Sequence, residues 1–539
     1  MKHDYKIRDE RGVSGLNKAA GQLLIVGFEG KQITPEVKEL INTYYVGGII
    51  LFTRNIGTSA EVLNLTTNLQ KEAKKAGYKY PLLICVDQEN GIVRRLGEGT
   101  TIFPGAMALG ATDNISNAYE IGFATGKELL GLGINWNLAP VLDINNNPEN
   151  PVIGVRSFGE SAEKVAQFGR ETIRGMQEAG LITTLKHFPG HGDTDVDSHL
   201  DLPVISHDLQ RLEKVELKPF KECIAAGADT IMTAHIYFPA IESKAGLPAT
   251  LSRKVVTGLL REKLRYNGVI TTDCMEMDAI SQTIGTEKGA VAAVKAGVDF
   301  VMISHTFERQ KGAVKEIINA IDSGEIDMNY ITDANKRIQS LKEKYLDWDN
   351  VQLDDAKVPP IVGGNEHKEL AAEVYRNSTT IVKNDGLLPL DINDKVLVLY
   401  PENDEMVRVE DQRNMEFNLG EAVLRFHPFA DVEQLNNTIS IDEINELVKK
   451  VKKYDSIIIG TLSVAAESSQ LMLIKELIEI GAYVVVVAMK NPYVLRYFPK
   501  VPAYLNTYEF TPCALETAAS AIFGKKEVNG KLPITIQNQ

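Results

Sequence analysis

Through the first two-thirds of the chain, short apolar runs alternate with longer stretches of helical periodicity. The runs are LLIVGF (23–28), GGIILF (47–52), LLICVD (82–87), INWNLAP (134–140), TTLKHF (183–188), DTIMTAH (229–235), GVITTD (268–273) and DFVMIS (299–304). Each is short and rich in β-branched residues, the mark of a strand buried on both faces. Between them lie amphipathic patterns such as TPEVKELINTYY, SAEKVAQFGRETIRGMQEAG and TLSRKVVTGLLREKL, the last with Thr250 or Ser252 as its expected N-cap. Eight such strands alternating with helices over residues 1–345 predict an α/β fold, a (β/α)8 TIM-like barrel. A doubly wound open sheet is the structural alternative.

The pattern breaks at LDWDNVQLDDAKVPPIVGG, so residues 346–365 read as a linker. Beyond it, KVLVLY (395–400), SIIIG (456–460), YVVVVA (483–488) and AYLNT (503–507) alternate with helical segments. Residues 366–539 are therefore expected to form a smaller α/β domain with a largely parallel sheet. No GxGxxG or GxxxxGK[ST] follows any of its strands, so no nucleotide site is expected there.

The polar residues that interrupt the runs carry more information. Asp87, Lys186 with His187, His235, Asp273 and His305 each fall at or just beyond the end of a run. In a (β/α)8 barrel those ends form the catalytic face. The densest cluster is KHFPGHGDTDVDSHLDLP (186–203), a glycine-containing segment with His187, His191 and His199 among Asp193, Asp195 and Asp197. In an extended segment, residues two apart project to the same side. Asp197 can then orient His199 and raise its pKa, which suits a proton donor near neutral pH.

Composition narrows the partners. The apolar share of 44% and charged share of 24% are ordinary for a soluble globular protein. A net charge of −14 argues against nucleic acid or an anionic membrane surface. The four cysteines (Cys85, Cys223, Cys274, Cys513) are scattered, without zinc spacing or a disulfide framework, and Cys85 reads as a buried core thiol. The charged start MKHDYKIRDERGVSG has no apolar h-region, and no run approaches a membrane span. Cytoplasmic retention is the expectation. No cofactor is called for, and the oligomeric state is not legible.

The barrel-end residues suggest sugar chemistry. Asp273 can attack an anomeric carbon, although as the residue before a helix it also reads as a cap. Asp87 can accept from sugar hydroxyls, while Arg95 and Arg156 can donate to them or form salt bridges. Retaining glycoside hydrolysis needs a carboxylate nucleophile and a second group that acts as acid, then base. A histidine can serve as that second group, because its unperturbed pKa lies closer to 7 than a carboxylic acid's.

GGIILFTRN, VDQENGIVRRL, FPGAMALGA, NLAPVLDINNNPENPVIGVRSFG, KHFPGHGDTDVDSH, MTAHI and NGVITTDCMEM resemble the family 3 glycoside hydrolases, in their β-N-acetylglucosaminidase branch. NSTTIVKNDGLLPL and FGKKEVNGKLPITI resemble that family's C-terminal αβα sandwich domain. The resemblance implies Asp273 as nucleophile, His199 as acid/base and Asp197 as its partner. It implies Asp87, Arg95, Arg156, Lys186 and His187 as holders of an acetamido sugar. His235 is a candidate support for Lys186–His187, Arg54 a candidate at the mouth, and Met277 a candidate under the sugar or in the core.

Two positions depart from the family pattern. Asn90 stands in DQENG where glycine is common, and asparagine tolerates a left-handed backbone better than most residues. Cys274 follows the nucleophile where aspartate is common, which removes a nearby negative charge. Three alternatives stand beside hydrolysis. A family 3 phosphorylase also fits, since a histidine acid/base does not repel phosphate. A metal-dependent barrel hydrolase would use His187, His191 and His199 with Asp193. A non-catalytic carbohydrate-binding protein would need no acid and nucleophile. The aglycone, whether muropeptide, chitooligosaccharide or another glycoside, is left open.

Overall fold

The computed structural model describes residues 15–196, 202–402, 410–411 and 417–536. Eight parallel strands form the first sheet: β1 (Leu24–Val26), β2 (Gly48–Leu51), β3 (Leu83–Val86), β4 (Trp136–Asn137), β5 (Thr184–Phe188), β6 (Thr230–Thr233), β7 (Val269–Cys274) and β8 (Phe300–Ile303). Their order is β4-β3-β2-β1-β8-β7-β6-β5. The two outer strands meet through backbone bonds from Asn137 N to Ile182 O (2.9 Å), Thr184 N to Ala139 O (3.0 Å) and Lys186 N to Pro140 O (3.2 Å). The sheet is therefore closed, and the open doubly wound alternative is excluded.

Strand alternation sorts the side chains. Ile25, Ile50, Leu83, Cys85, Trp136, Met232 and Phe300 form one apolar cluster. Their neighbours Leu24, Val26, Ile49, Leu51, Ile84 and Val86 join the cluster made with the helices. This is the two-sided burial that the continuous apolar runs predicted. Trp136 Nε1 donates to Thr184 Oγ1 at 2.7 Å, so the one polar atom of this ring is satisfied inside the barrel.

The helix expected to start at Thr250 or Ser252 runs from Lys254 to Lys263. Ser252 Oγ accepts from Val255 N at 3.2 Å, which is cap chemistry. Thr250 is instead buried against His235, with Nδ1 to Oγ1 at 2.9 Å. A hydroxyl two residues before the capping serine is drawn to a barrel-end histidine.

The last barrel helix ends at Tyr345, and the next begins at Asn365. The second sheet contains β9 (Thr380–Asn384), β10 (Val396–Pro401), β11 (Asp431–Leu435), β12 (Ser456–Thr461), β13 (Val484–Ala488) and β14 (Ala503–Asn506), in the order β11-β10-β12-β13-β14-β9. Only β9 is antiparallel. Val396, Val398, Ile458, Val485 and Val487 pack with helices Leu419–Leu424 and Pro512–Ile522. Leu397, Leu399, Ile457, Ile459, Val484 and Val486 pack with helices Ile441–Val451 and Ser469–Glu479. Helices thus cover both faces, giving an αβα sandwich. Two edge strands, β9 and β11, escaped the sequence reading because TIVKN and DVEQL are half exposed and interrupted by charge.

The domains share contacts. Ala371, Val374 and Tyr375 of helix Asn365–Ser378 join the barrel's apolar cluster. Gly105 N donates to Glu509 Oε2 at 2.9 Å, Asp411 N to Ile92 O at 2.8 Å and Asn145 Nδ2 to the Tyr493 hydroxyl at 3.1 Å. No helix among the described residues is long and apolar enough to cross a membrane.

Candidate active site

A cavity of about 520 Å³ opens at the C-terminal ends of the barrel strands. That volume is in the range of small-molecule sites. Arg54, Asp87, Arg95, Arg156, Lys186, His187, Asp273 and Met277 all line it. Residues far apart in sequence converge because each follows a different strand of one closed ring.

Asp273 sits at the end of β7, half buried, with Oδ1 accepting from Cys274 N at 2.7 Å. Asp87 follows β3, four strands round the ring. Lys186, on β5, is 2% exposed and reaches Asp87 Oδ1 at 2.8 Å and Glu89 Oε1 at 2.6 Å. Arg156 grips Glu89 through two bonds of 2.8 Å, Nε to Oε2 and Nη2 to Oε1. Burial pushes the Glu89 carboxyl up, but Arg156 and Lys186 outweigh it and hold it well below the usual carboxylate range. Burial likewise works against the Lys186 ammonium, and Asp87 with Glu89 more than restores it. The result is a fixed lattice of charges with the outer face of Asp87 open to the cavity.

His187, the next residue, also lines the cavity. Its Nδ1 meets Asp143 Oδ2 at 2.7 Å, and its backbone N and that of His191 also donate to Asp143. Asp143 is buried, so these bonds orient the imidazole rigidly. Burial pushes His191 down to about 4, so it stays neutral. Its Nδ1 pairs with Thr194 Oγ1 at 3.0 Å.

His235 does not line the cavity. Its Nε2 donates to the Cys274 carbonyl at 2.9 Å, which braces the backbone beside Asp273. This contact supports β7. Arg54 lies over the Phe52 ring at 4.5 Å and donates to Phe28 O and Ser304 O. It lines the cavity. Met277 is 8% exposed and forms cavity wall. Asn90 adopts φ of 71°, the left-handed conformation its side chain tolerates. Burial pushes the Cys274 thiol up to about 11, so it adds no charge beside Asp273 at neutral pH.

Asp197 and His199 lie outside the described residues. The flanks of their segment are described: Asp193 Oδ2 and His207 Nε2 are 2.5 Å apart. Asp193 is thereby committed to His207, His187 to Asp143 and His191 to Thr194. The metal set read from the sequence does not come together among the described residues. The described groups that do approach ligand-sharing distance are Cys274–Glu276–His305 and Asp193–His207–Glu216.

Sequence reasoning passed over Glu89, Asp143, Glu276 and Glu410. Glu89 and Asp143 lie inside the motifs quoted above, three and six residues past the ends of β3 and β4. Both were legible as buried carboxylates needing cationic partners. Glu410 lines the barrel cavity from the second domain, and no local pattern could have shown that.

Residues 15–341 match the glycosyl hydrolase family 3 N terminal domain, and residues 379–539 match the family's C-terminal domain. The chain belongs to glycosyl hydrolase family 3. Among family 3 relatives, it is 37% identical over 400 residues to beta-hexosaminidase A of Pseudoalteromonas piscicida, covering 70% of this chain and 66% of the relative. A family 3 beta-N-acetylglucosaminidase from Paenibacillus sp. str. FPU-7 superposes with a TM-score of 0.89 at 38% identity, covering 97% of this chain and 99% of that one. A fungal multi-domain family 3 beta-N-acetylglucosaminidase superposes with a TM-score of 0.91 at 42% identity, covering 97% of this chain and 61% of that one. The chain thus spans less than two thirds of the first and last of these relatives.

Proposed function

We propose that this chain is a retaining exo-β-N-acetylglucosaminidase that releases terminal β-linked GlcNAc. The observation that carries the reading is Asp273 on the cavity wall, across the ring from the Lys186–Asp87 pair. A carboxylate there has a cavity in front of it and hydroxyl-binding groups on the far side. The likeness to a beta-hexosaminidase and to beta-N-acetylglucosaminidases supports the choice of sugar.

In this reading Asp273 attacks the anomeric carbon, and the glycosidic bond breaks as His199 gives its proton to the departing oxygen. His199 then takes a proton from water, which displaces Asp273 from the same carbon. Two inversions leave the β configuration. Asp197 orients His199. Asp87, Arg95, Arg156, Lys186 and His187 hold the sugar, with Glu89 and Asp143 keeping their side chains in place. Arg54 lines the mouth, and His235 steadies the Asp273 backbone through the Cys274 carbonyl. Residues 1–345 carry the chemistry, 346–365 link, and 366–539 close the cavity.

The test is product analysis with a GlcNAc-β-1,4-linked disaccharide, with and without phosphate. β-GlcNAc is the first product expected under both conditions, and an aryl β-N-acetylglucosaminide should react much faster than the aryl β-glucoside. A sugar phosphate, an α first product, or equal rates on the two aryl glycosides would overturn the proposal.

A further inference from the structure

Glu410 is the second domain's contribution to the cavity wall, and its side chain is 3% exposed. One oxygen, Oε1, is held by Lys490 Nζ at 2.5 Å. The other, Oε2, is buried and has no hydrogen-bond partner among the described residues. Folded proteins satisfy nearly all such atoms, because stranding a buried acceptor costs the whole of its lost hydration. Glu410 stands where the cavity meets a groove of about 340 Å³ between the domains, and Val152 lines both. Lys490 already balances the carboxylate's charge, so the missing partner is a neutral donor. In a cavity shaped for a sugar, that donor is a hydroxyl.

We propose that Glu410 is a specificity-determining substrate contact, supplied by the second domain, that accepts a hydrogen bond from a sugar hydroxyl in the barrel cavity. The proposal deepens the glycosidase reading and rests on it only in requiring that the ligand be a sugar. A site built to pair with a hydroxyl rejects the analogue lacking it, because its own polar atom is then left unpaired. Glu410→Gln keeps the shape. Lys490 still requires the amide oxygen, so the amide NH2 falls where the accepting oxygen was.

The experiment compares the full-length wild type and Glu410→Gln on an aryl β-N-acetylglucosaminide, its 3-, 4- and 6-deoxy analogues, and the natural-type disaccharide. The variant should lose about 10- to 100-fold in kcat/KM on the parent glycoside, the range for a charge-assisted bond, with its Tm close to wild type. One deoxy analogue should be slowed by a similar factor in the wild type and turned over equally by both proteins. Loss confined to the disaccharide would overturn the contact with the sugar in the barrel cavity. Lys490→Gln separates the contact from a structural role. If both variants lose activity alike and rank the deoxy analogues as wild type does, Glu410 acts only as Lys490's partner and the proposal falls. Unchanged kinetics on every substrate also overturn it. If the wild type prefers a different aryl glycoside, the same deoxy series is run in that sugar, so the two proposals fail separately.

Discussion

At the N-terminal end of the barrel, Asp229 precedes β6 and Asp299 precedes β8, and both are enclosed by partners. Asp229 accepts from Lys344, Tyr345, Gln177 and Thr183. Asp299 accepts from Arg261, Arg337 and Ile270 N. At the C-terminal end, the side chains of Lys186 and Glu89 are nearly as buried and Asp87 is only partly so, and all three border an open cavity. The two ends of one set of strands therefore teach that buried charge is no mark of a site. The mark is buried charge that converges on space and keeps bonding capacity in reserve.

The sharpest way to break this comparison is to exchange the expected phenotypes. Asp273→Asn should cost at least about 10³-fold in kcat, the scale of removing a group essential to chemistry, with little change in Tm. A mechanism-based fluorosugar should label Asp273 in the wild type. Asp299→Asn should lose about 3–5 kcal/mol of stability, because breaking a buried pair strands Arg261 and Arg337, while kcat per folded molecule holds. Denaturant melts and active-site titration measure both. A stable but inactive Asp299→Asn would erase the distinction.

A smaller effect is expected at the cavity's flank. The Asp193–His207 contact ties the two sides of the segment carrying Asp197 and His199. His207→Ala should lower kcat/KM for a disaccharide by about tenfold and for a nitrophenyl glycoside by less, since only the poor leaving group needs the proton. Equal losses across a leaving-group series would make the contact structural only.

Glu509 sharpens the comparison at the domain boundary. Burial pushes its carboxyl up to about 7. A carboxyl raised on folding favours the protonated folded state, so its contribution is present below about pH 4.5 and is lost as pH rises through 7. Glu509→Gln should flatten that part of the stability profile, read by melts from pH 5 to 8. A matching effect of opposite sign belongs to the barrel end opposite the cavity. There Lys342, bonded to Gln22 at 2.9 Å, is pushed down to about 7 by burial. The unfolded chain then holds the extra proton between about pH 7 and 10.5, so wild-type stability should rise with pH across that window. Lys342→Met should lack the rise. Parallel curves would show that Lys342 keeps its proton in the fold.

Much of this molecule was legible before any coordinates. Apolar runs of four to six residues can be satisfied only by burial on both faces, so LLICV and YVVVVA announced interior strands. The ends of those runs pointed to Asp87, Lys186, His187 and Asp273, since a closed parallel ring gathers its strand ends at one rim. TIVKN and DVEQL were missed because an edge strand needs no apolar run. Asn90 was readable from its own chemistry, since left-handed tolerance is a local property.

Partnership is different in kind. The sequence by itself determined the eight barrel strands and their alternation with helices, because these follow from local pattern and residue type. Only the tertiary structure decided that His235 braces the Cys274 carbonyl, that Glu89 locks Lys186 to Arg156, and that Glu410 crosses from the second domain to the barrel cavity. Those pairings join residues tens to hundreds of positions apart. The physical reason is that burial makes every charge seek a partner, and which partner is within reach is set by ring closure and domain docking, which no local window of sequence contains.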